Sequence, residues 1–197
     1  MSLFKKLVSK ILNQPEEEDT KPNVTKLADQ LRDADLDYKF AQLFTHSGGY
    51  FNYCADEAEA LHTLNQIIKI EQIDNVFCWD KELQSFLDVI NSDYVETLNS
   101  REKPIDAAFI TCDYLISFDG RIMLSYNNIL NYRTSDLPAT VIIMANVSQI
   151  VSNLNEAMMK VKRLGNQKNL TSISGGQSNL DTPEKANTKL FLLLLED

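Results

Sequence analysis

The chain has 197 residues, 44% hydrophobic and 24% charged, which suits one globular domain with short additions and supplies enough apolar material for a core. Acidic residues number 28 against 19 basic ones, and the formal net charge of -9 opposes non-specific contact with nucleic acid, whose phosphates it repels. No apolar run reaches the roughly 18 residues of a membrane span. Three separated cysteines, Cys54, Cys78 and Cys112, with no C-x-x-C pair, argue against a zinc ribbon or a bound iron–sulfur cluster and suit a reducing cytoplasm.

Residues 1–14 are expected to form an amphipathic helix. Leu3, Phe4, Leu7, Val8 and Ile11 share one face, flanked by Lys5, Lys6 and Lys10. The segment has no small-residue cleavage site and is too interrupted by lysine for a secretory signal. Its ordinary role is packing on its own domain or on a second copy in a homo-oligomer; the sharper alternative is a membrane-surface or partner-docking helix. Residues 15–22, with Glu16, Glu17, Glu18 and Asp19 between Pro15 and Pro22, read as an acidic linker. A single α/β domain is expected over 23–197.

Residues 23–46 read as helical, with an interruption at 33–37. Ser47-Gly48-Gly49 ends the helix, and residues 50–54 read as a short strand. Asp56 caps the next helix, with Glu59 three residues on and Leu61, Leu64, Ile67 and Ile68 on its buried face. Residues 76–79 form a short strand. Asp80 caps a further helix carrying Leu83, Phe86, Leu87 and Ile90.

In the second half, residues 107–110 are apolar. Residues 114–118 and 121–125 flank a two-residue Asp119-Gly120 hairpin turn. The run 139–145 suits a strand buried on both faces. Residues 147–164 read as one helix, with Ile150, Val151, Leu154, Ala157, Met158, Val161 and Leu164 in register, and 170–173 and 190–195 as strands. Alternating strands and helices imply a mostly parallel sheet covered by helices on both sides, with ligands beyond the carboxyl ends of the strands.

Three groups could carry chemistry. The loop Ser174-Gly175-Gly176-Gln177-Ser178 follows a strand and can offer backbone N–H groups to a phosphate or carboxylate; it is neither G-x-G-x-x-G nor a Walker loop, and a plain surface loop is the ordinary reading. His46 beside the glycine pair can present an imidazole, although a helix C-terminus commonly uses histidine against its own carbonyls. Asp113, Asp119 and Asp136 accompany Arg121 and Arg133. Of these, Arg133 is the preferred anion contact, because it lies in a polar loop before a buried strand and guanidinium suits bidentate recognition. A surface arginine is the plainer alternative. The cysteines are expected to be buried and inert, and two histidines, His46 and His62, are too few for a His-rich metal site.

The strings Asp106-Ala107-Ala108-Phe109-Ile110, Leu137-Pro138-Ala139-Thr140-Val141-Ile142-Ile143, Ser148-Gln149-Ile150-Val151, Ile173-Ser174-Gly175 with Ser178, and the apolar stretch 190–195 before Glu196 and Asp197 resemble, in order and spacing, the LUD domain of lactate-utilisation protein C. The resemblance implies a fold like that of ribose-5-phosphate isomerase, glucosamine-6-phosphate deaminase and the coenzyme A transferases. It also implies a cytoplasmic role in oxidising L-lactate to pyruvate with iron–sulfur partner proteins. Two family segments are altered: Thr111-Cys112-Asp113-Tyr114 replaces a Glu-Thr-Gly-Thr stretch, and residues 183–188 lack the glycines and histidine of Gly-x-His-Gly-Pro. Two functions follow. One is a small anionic ligand bound near Asp113, Arg133, Ser174, Gly175, Gly176, Ser178 and His46; the other is a non-catalytic protein-interaction role. A nucleotide-dependent ligase is disfavoured, since no basic glycine-rich phosphate loop is present. No catalytic residue or cofactor is assigned.

Overall fold

The computed structural model describes residues 24–99, 104–164, 169–174 and 188–197. The predicted helix at 1–14 and linker at 15–22 lie outside the described residues. Helices α1 (Val24–Gln30) and α2 (Leu36–His46) are separate, and the break falls in the Asp-rich stretch, where short polar side chains compete with the helical backbone. Helix α2 buries Phe40, Ala41, Leu43 and Phe44. Ser47 ends it by donating its hydroxyl to the carbonyls of Leu43 and Phe44, at 2.9 and 3.0 Å.

Strand β1 (Tyr50–Cys54) leads to α3 (Glu57–Ile70), β2 (Asn75–Phe77), α4 (Lys81–Val89) and β3 (Asp93–Val95). Both expected caps are present: the Glu59 N–H donates to Asp56 and the Glu82 N–H to Asp80, at 2.8 and 2.9 Å. The Glu59 carboxylate reaches back to the N–H of Ala55, so the cap closes one residue further upstream than in the usual box. Strand β3 escapes a sequence reading because three residues with an exposed Asp93 carry no apolar period.

Then come β4 (Ala107–Thr111), β5 (Tyr114–Ile116), β6 (Arg121–Leu124), the short α5 (Tyr126–Ile129), β7 (Thr140–Asn146), β8 (Ile150–Val151), α6 (Leu154–Leu164), β9 (Thr171–Ile173) and β10 (Lys189–Leu195). Six strands form one sheet in the order β1-β10-β7-β4-β2-β3, with every pairing parallel. The apolar runs of β7 and β10 lie in its interior, buried on both faces, as continuous hydrophobic strands require.

Alternation along the strands sorts two cores. Leu190, Leu192, Leu194, Val141, Ile143, Ala145, Ala108 and Ile110 face α2 and a second sheet, whose Leu115, Ile122 and Leu124 join the same core. Phe191, Leu193, Ile142, Ala107 and Phe109 face α3 and α4 through Leu64, Ile67, Leu83 and Leu87. Helices alone therefore cover one face. On the other, α2 shares the task with the four-stranded sheet β8-β5-β6-β9, and α6 packs on the far side of that sheet through Ala157 and Val161 against Ile116, Met123 and Val151.

Two local expectations change. Residues 147–164 are not one helix: Val147–Gln149 is a 3₁₀ turn, and Ile150 and Val151 pair in parallel with Leu115 and Ile116. The bare edge of β5 takes these β-branched residues. The helix starts later, where Asn153 accepts from the Glu156 N–H and the Glu156 carboxylate accepts from both the N–H and hydroxyl of Ser152. The hairpin loop is also longer than Asp119-Gly120. Ile116 opposes Arg121, which leaves 117–120 as the connection. Asp119 accepts from the Arg121 N–H and pairs with its guanidinium at 2.5 Å, and Gly120 adopts a φ of 71°. Among the described residues no helix is long and apolar enough to cross a membrane.

Candidate functional site

Because all six main strands point the same way, their carboxyl ends share one edge, the usual place for a ligand in such sheets. A hydrogen-bonded amide organises the middle of that edge. The side-chain oxygen of Asn128 accepts from the Ser125 N–H at 2.7 Å and the Ser125 hydroxyl at 3.2 Å, and its NH₂ donates to the Thr111 hydroxyl at 3.1 Å. The indole N–H of Trp79 donates to the Asn128 carbonyl at 3.0 Å. Thr111 ends β4, so these bonds lock α5 onto that strand. Next along, the Gln149 NH₂ donates to the carbonyls of Cys112 and Asp113, at 2.6 and 3.2 Å, while its oxygen accepts from the Asn146 N–H.

Asp113 is half-buried, and its N–H donates to the Met123 carbonyl. Burial pushes its carboxyl above the ordinary range, partly offset by a hydrogen bond with Ser125. The rest of the edge carries carboxylates that are already engaged. Tyr53 donates its hydroxyl to Glu196, and burial together with that carboxylate raises its phenol. Ser148 donates its N–H and hydroxyl to Asp197, which holds that carboxyl below its usual range. Asp113, Glu196 and Asp197 make this edge an unfavourable seat for a free anion.

A cavity of about 460 Å³ lies to one side, lined by Tyr126, Ile129, Asn131, Tyr132, Arg133, Thr134, Asn169, Leu170 and Thr171. Helix α5 supplies Tyr126, the following loop supplies Arg133, and the entry to β9 supplies Thr171. Arg133 is exposed, and its N–H is held by the Asp136 carboxylate at 2.9 Å, which fixes the backbone of the 3₁₀ turn Thr134–Asp136 beside it. Asn169 donates to the Asn131 side-chain oxygen at 2.8 Å and joins the two walls. Leu130, Asn131 and Asn169 all adopt left-handed backbone, with φ of 46°, 65° and 56°. For Leu130 that conformation costs about 1–2 kcal/mol. Among the described lining residues none is acidic, and no ion pair to the Arg133 guanidinium occurs among the described residues.

The residues singled out from the sequence do not all meet. Arg133 lines this cavity. Asp113 lies at the same end of the small sheet, since Met123 and Leu124, beside it, lead into the pairing of Leu124 with Thr171. Ser174 is at the other end, following Ile173, which opposes Ile122. His46 ends α2, four positions before β1, at the amino edge of the main sheet. Gly175, Gly176 and Ser178 lie outside the described residues. Tyr126, Asn131, Tyr132, Thr134, Asn169 and Thr171 were not anticipated. The polar run Asn131-Tyr132-Arg133-Thr134 is the available signal for three of these neighbours of Arg133; nothing in the sequence links Asn169 to it.

The thiols are poor nucleophiles. Burial raises Cys54 to about 11 and Cys78 to about 12, and pushes Cys112 up as well. Among the described residues no group of His, Cys, Asp and Glu is arranged to hold a metal ion.

Compared with known families, the model of the LUD domain matches residues 38–187. The chain belongs to the LUD domain family. A solved structure of a DUF162 family protein from Deinococcus radiodurans superposes with a TM-score of 0.61 at 17% identity, covering 83% of this chain and 98% of that one. At that identity the likeness is one of fold. No curated protein matches the chain. Within this LUD domain, Thr111 anchors Asn128 at the end of β4, and Asp113 bonds the Met123 carbonyl at the entry to the second sheet.

Proposed function

We propose that this LUD-domain protein binds a small anionic metabolite and supports the oxidation of L-lactate to pyruvate alongside iron–sulfur partner proteins. The observation that carries the binding half is the Arg133 cavity: in a chain of net charge -9, it presents a guanidinium, amides and hydroxyls, with no carboxylate among its described lining residues. Guanidinium recognises a carboxylate or phosphate through paired N–H donors. Asp113 lies at the same end of the small sheet, with its carboxyl raised above the ordinary range by burial. In this reading Arg133 holds the anion and Asp113 borders the site. Gly175, Gly176 and Ser178 stay as candidate contacts from the sequence, while Ser174 and His46 lie away from this cavity. The lactate connection rests on that family association.

A thermal-shift series with lactate, pyruvate, sugar phosphates, nucleotides and coenzyme A tests it. A true ligand at about 100 times its dissociation constant adds about 2.7 kcal/mol, which for a domain of this size is roughly 5–10 °C. Absence of any shift with every anion would remove the binding reading.

The alternative is a non-catalytic role in protein contact. An apolar groove between α3 and α4, lined by Leu61, Phe86 and Val89, favours it, with Val89 64% exposed. The discriminating result is a partner complex lost on Val89→Asp while anion binding persists.

A further inference from the structure

We infer that the anion held at Arg133 is the phosphate of a mononucleotide, with its base on Tyr126 and the Asn131–Asn169 pair. The inference rests on the preceding reading that Arg133 is an anion seat, and it narrows the ligand. Size is the first argument. A three-carbon acid would leave most of 460 Å³ to water, whereas that volume falls within the range of cavities that enclose drug-sized ligands. Composition is the second. Tyr126 is 41% exposed and lines the cavity, so its ring offers an open face on which a flat base can stack. Tyr132 is spent differently: its ring packs edge-on against Phe77 and its hydroxyl accepts from the Leu98 N–H. It forms wall rather than platform.

The third argument is hydrogen-bonding capacity. Asn169 uses one amide hydrogen on Asn131, which leaves, among the described residues, the Asn131 NH₂ as a donor and the Asn169 side-chain carbonyl as an acceptor on the same wall. That pairing matches the alternating donor and acceptor edge of a nucleobase. Thr134 and Thr171 add hydroxyls suited to a sugar. The left-handed backbone at Leu130, Asn131 and Asn169 presents these groups at a conformational cost, a pattern typical of binding sites. The cavity needs no glycine-rich phosphate loop, because Arg133 supplies the charge directly.

Calorimetry on the full chain with AMP, GMP and UMP, inorganic phosphate, and lactate or pyruvate tests the assignment. Trp79, the chain's single tryptophan, gives a second readout, since it bonds the Asn128 carbonyl in the helix that carries Tyr126. At least one mononucleotide should bind, and Arg133→Gln should weaken it about tenfold or more. Tyr126→Ala should weaken the nucleotide while leaving phosphate binding unchanged. Both positions are solvent-facing, and unchanged melting curves would establish that the variants fold. Arg133-dependent binding of lactate, pyruvate or phosphate without nucleotide binding would overturn the mononucleotide and leave the anion seat standing. Nucleotide binding indifferent to Arg133→Gln, or no binding by any anion, would overturn both.

Discussion

Gly120→Ala tests how the hairpin loop is joined to α2. A Cβ on residue 120 would lie 2.6 Å from the Phe44 nitrogen and 2.7 Å from the Leu43 carbonyl carbon. Both are backbone atoms of a helix whose Leu43 and Phe44 side chains are fully buried, so no flexible side chain can give way. Residue 120 also has φ 71°, where alanine is strained by about 1 kcal/mol relative to glycine. Adding about 1–3 kcal/mol for overpacking gives a total of about 2–4 kcal/mol. The same loop is tied to α2 by the Ser117 hydroxyl donating to the Leu36 carbonyl at 2.8 Å and by Lys39 over the Phe118 ring. It therefore cannot swing away without losing those contacts. Urea denaturation should show the loss, and thermal melting a fall of roughly 5–15 °C. Asp119→Ala is the control: it removes the Arg121 ion pair and the acceptor of the Arg121 N–H, together worth about 1 kcal/mol, without a clash against α2. A Gly120→Ala protein within about 1 kcal/mol of wild type would mean that the loop yields independently of α2.

Asp113→Asn should raise the melting temperature at neutral pH. Burial holds the folded Asp113 carboxyl above its unfolded value near 3.9, so its favourable contribution is present below that value and lost as pH rises through the folded one. The advantage of asparagine should therefore vanish in acid; a melting difference independent of pH would contradict the assignment. Asn128→Ala strands the buried Ser125 N–H and should cost about 1–3 kcal/mol in urea, while Trp79 emission stays put because its partner is a backbone carbonyl. Cys54, Cys78 and Cys112 should resist a thiol-specific aromatic disulfide reagent at pH 8 until denaturant is added, since all three are buried and their thiols pushed up. Prompt labelling of the native protein would refute that.

Much of this fold is written locally. Asp56 and Asp80 cap helices because a short carboxylate followed by an amphipathic run has few other uses, and both bonds form. Residues 141–145 of β7 and 190–195 of β10 are apolar without a break because interior parallel strands expose neither face. Ile150 and Val151 behave otherwise. Their spacing fits the following helix, yet the open edge of β5 claims them for a strand, and no window of sequence records that edge. The second sheet is hidden for the same reason, since its four strands come from three separate stretches of the chain.

The candidate site divides along the same line. Arg133 is legible alone, as a guanidinium in a polar loop before a buried strand. Its cavity is not, because Tyr126, Asn131 and Asn169 meet only when β9 pairs with β6 and α5 docks on β4. His46 and Ser174 are also candidates in the sequence, but parallel strand direction carries His46 to the opposite edge of the main sheet and antiparallel pairing carries Ser174 to the far end of β9. The sequence by itself determined the composition, the caps, the central strands and the family resemblance, all of which depend on neighbours along the chain. Tertiary structure alone decided which polar groups share a cavity, because strand pairing joins residues that the chain keeps far apart.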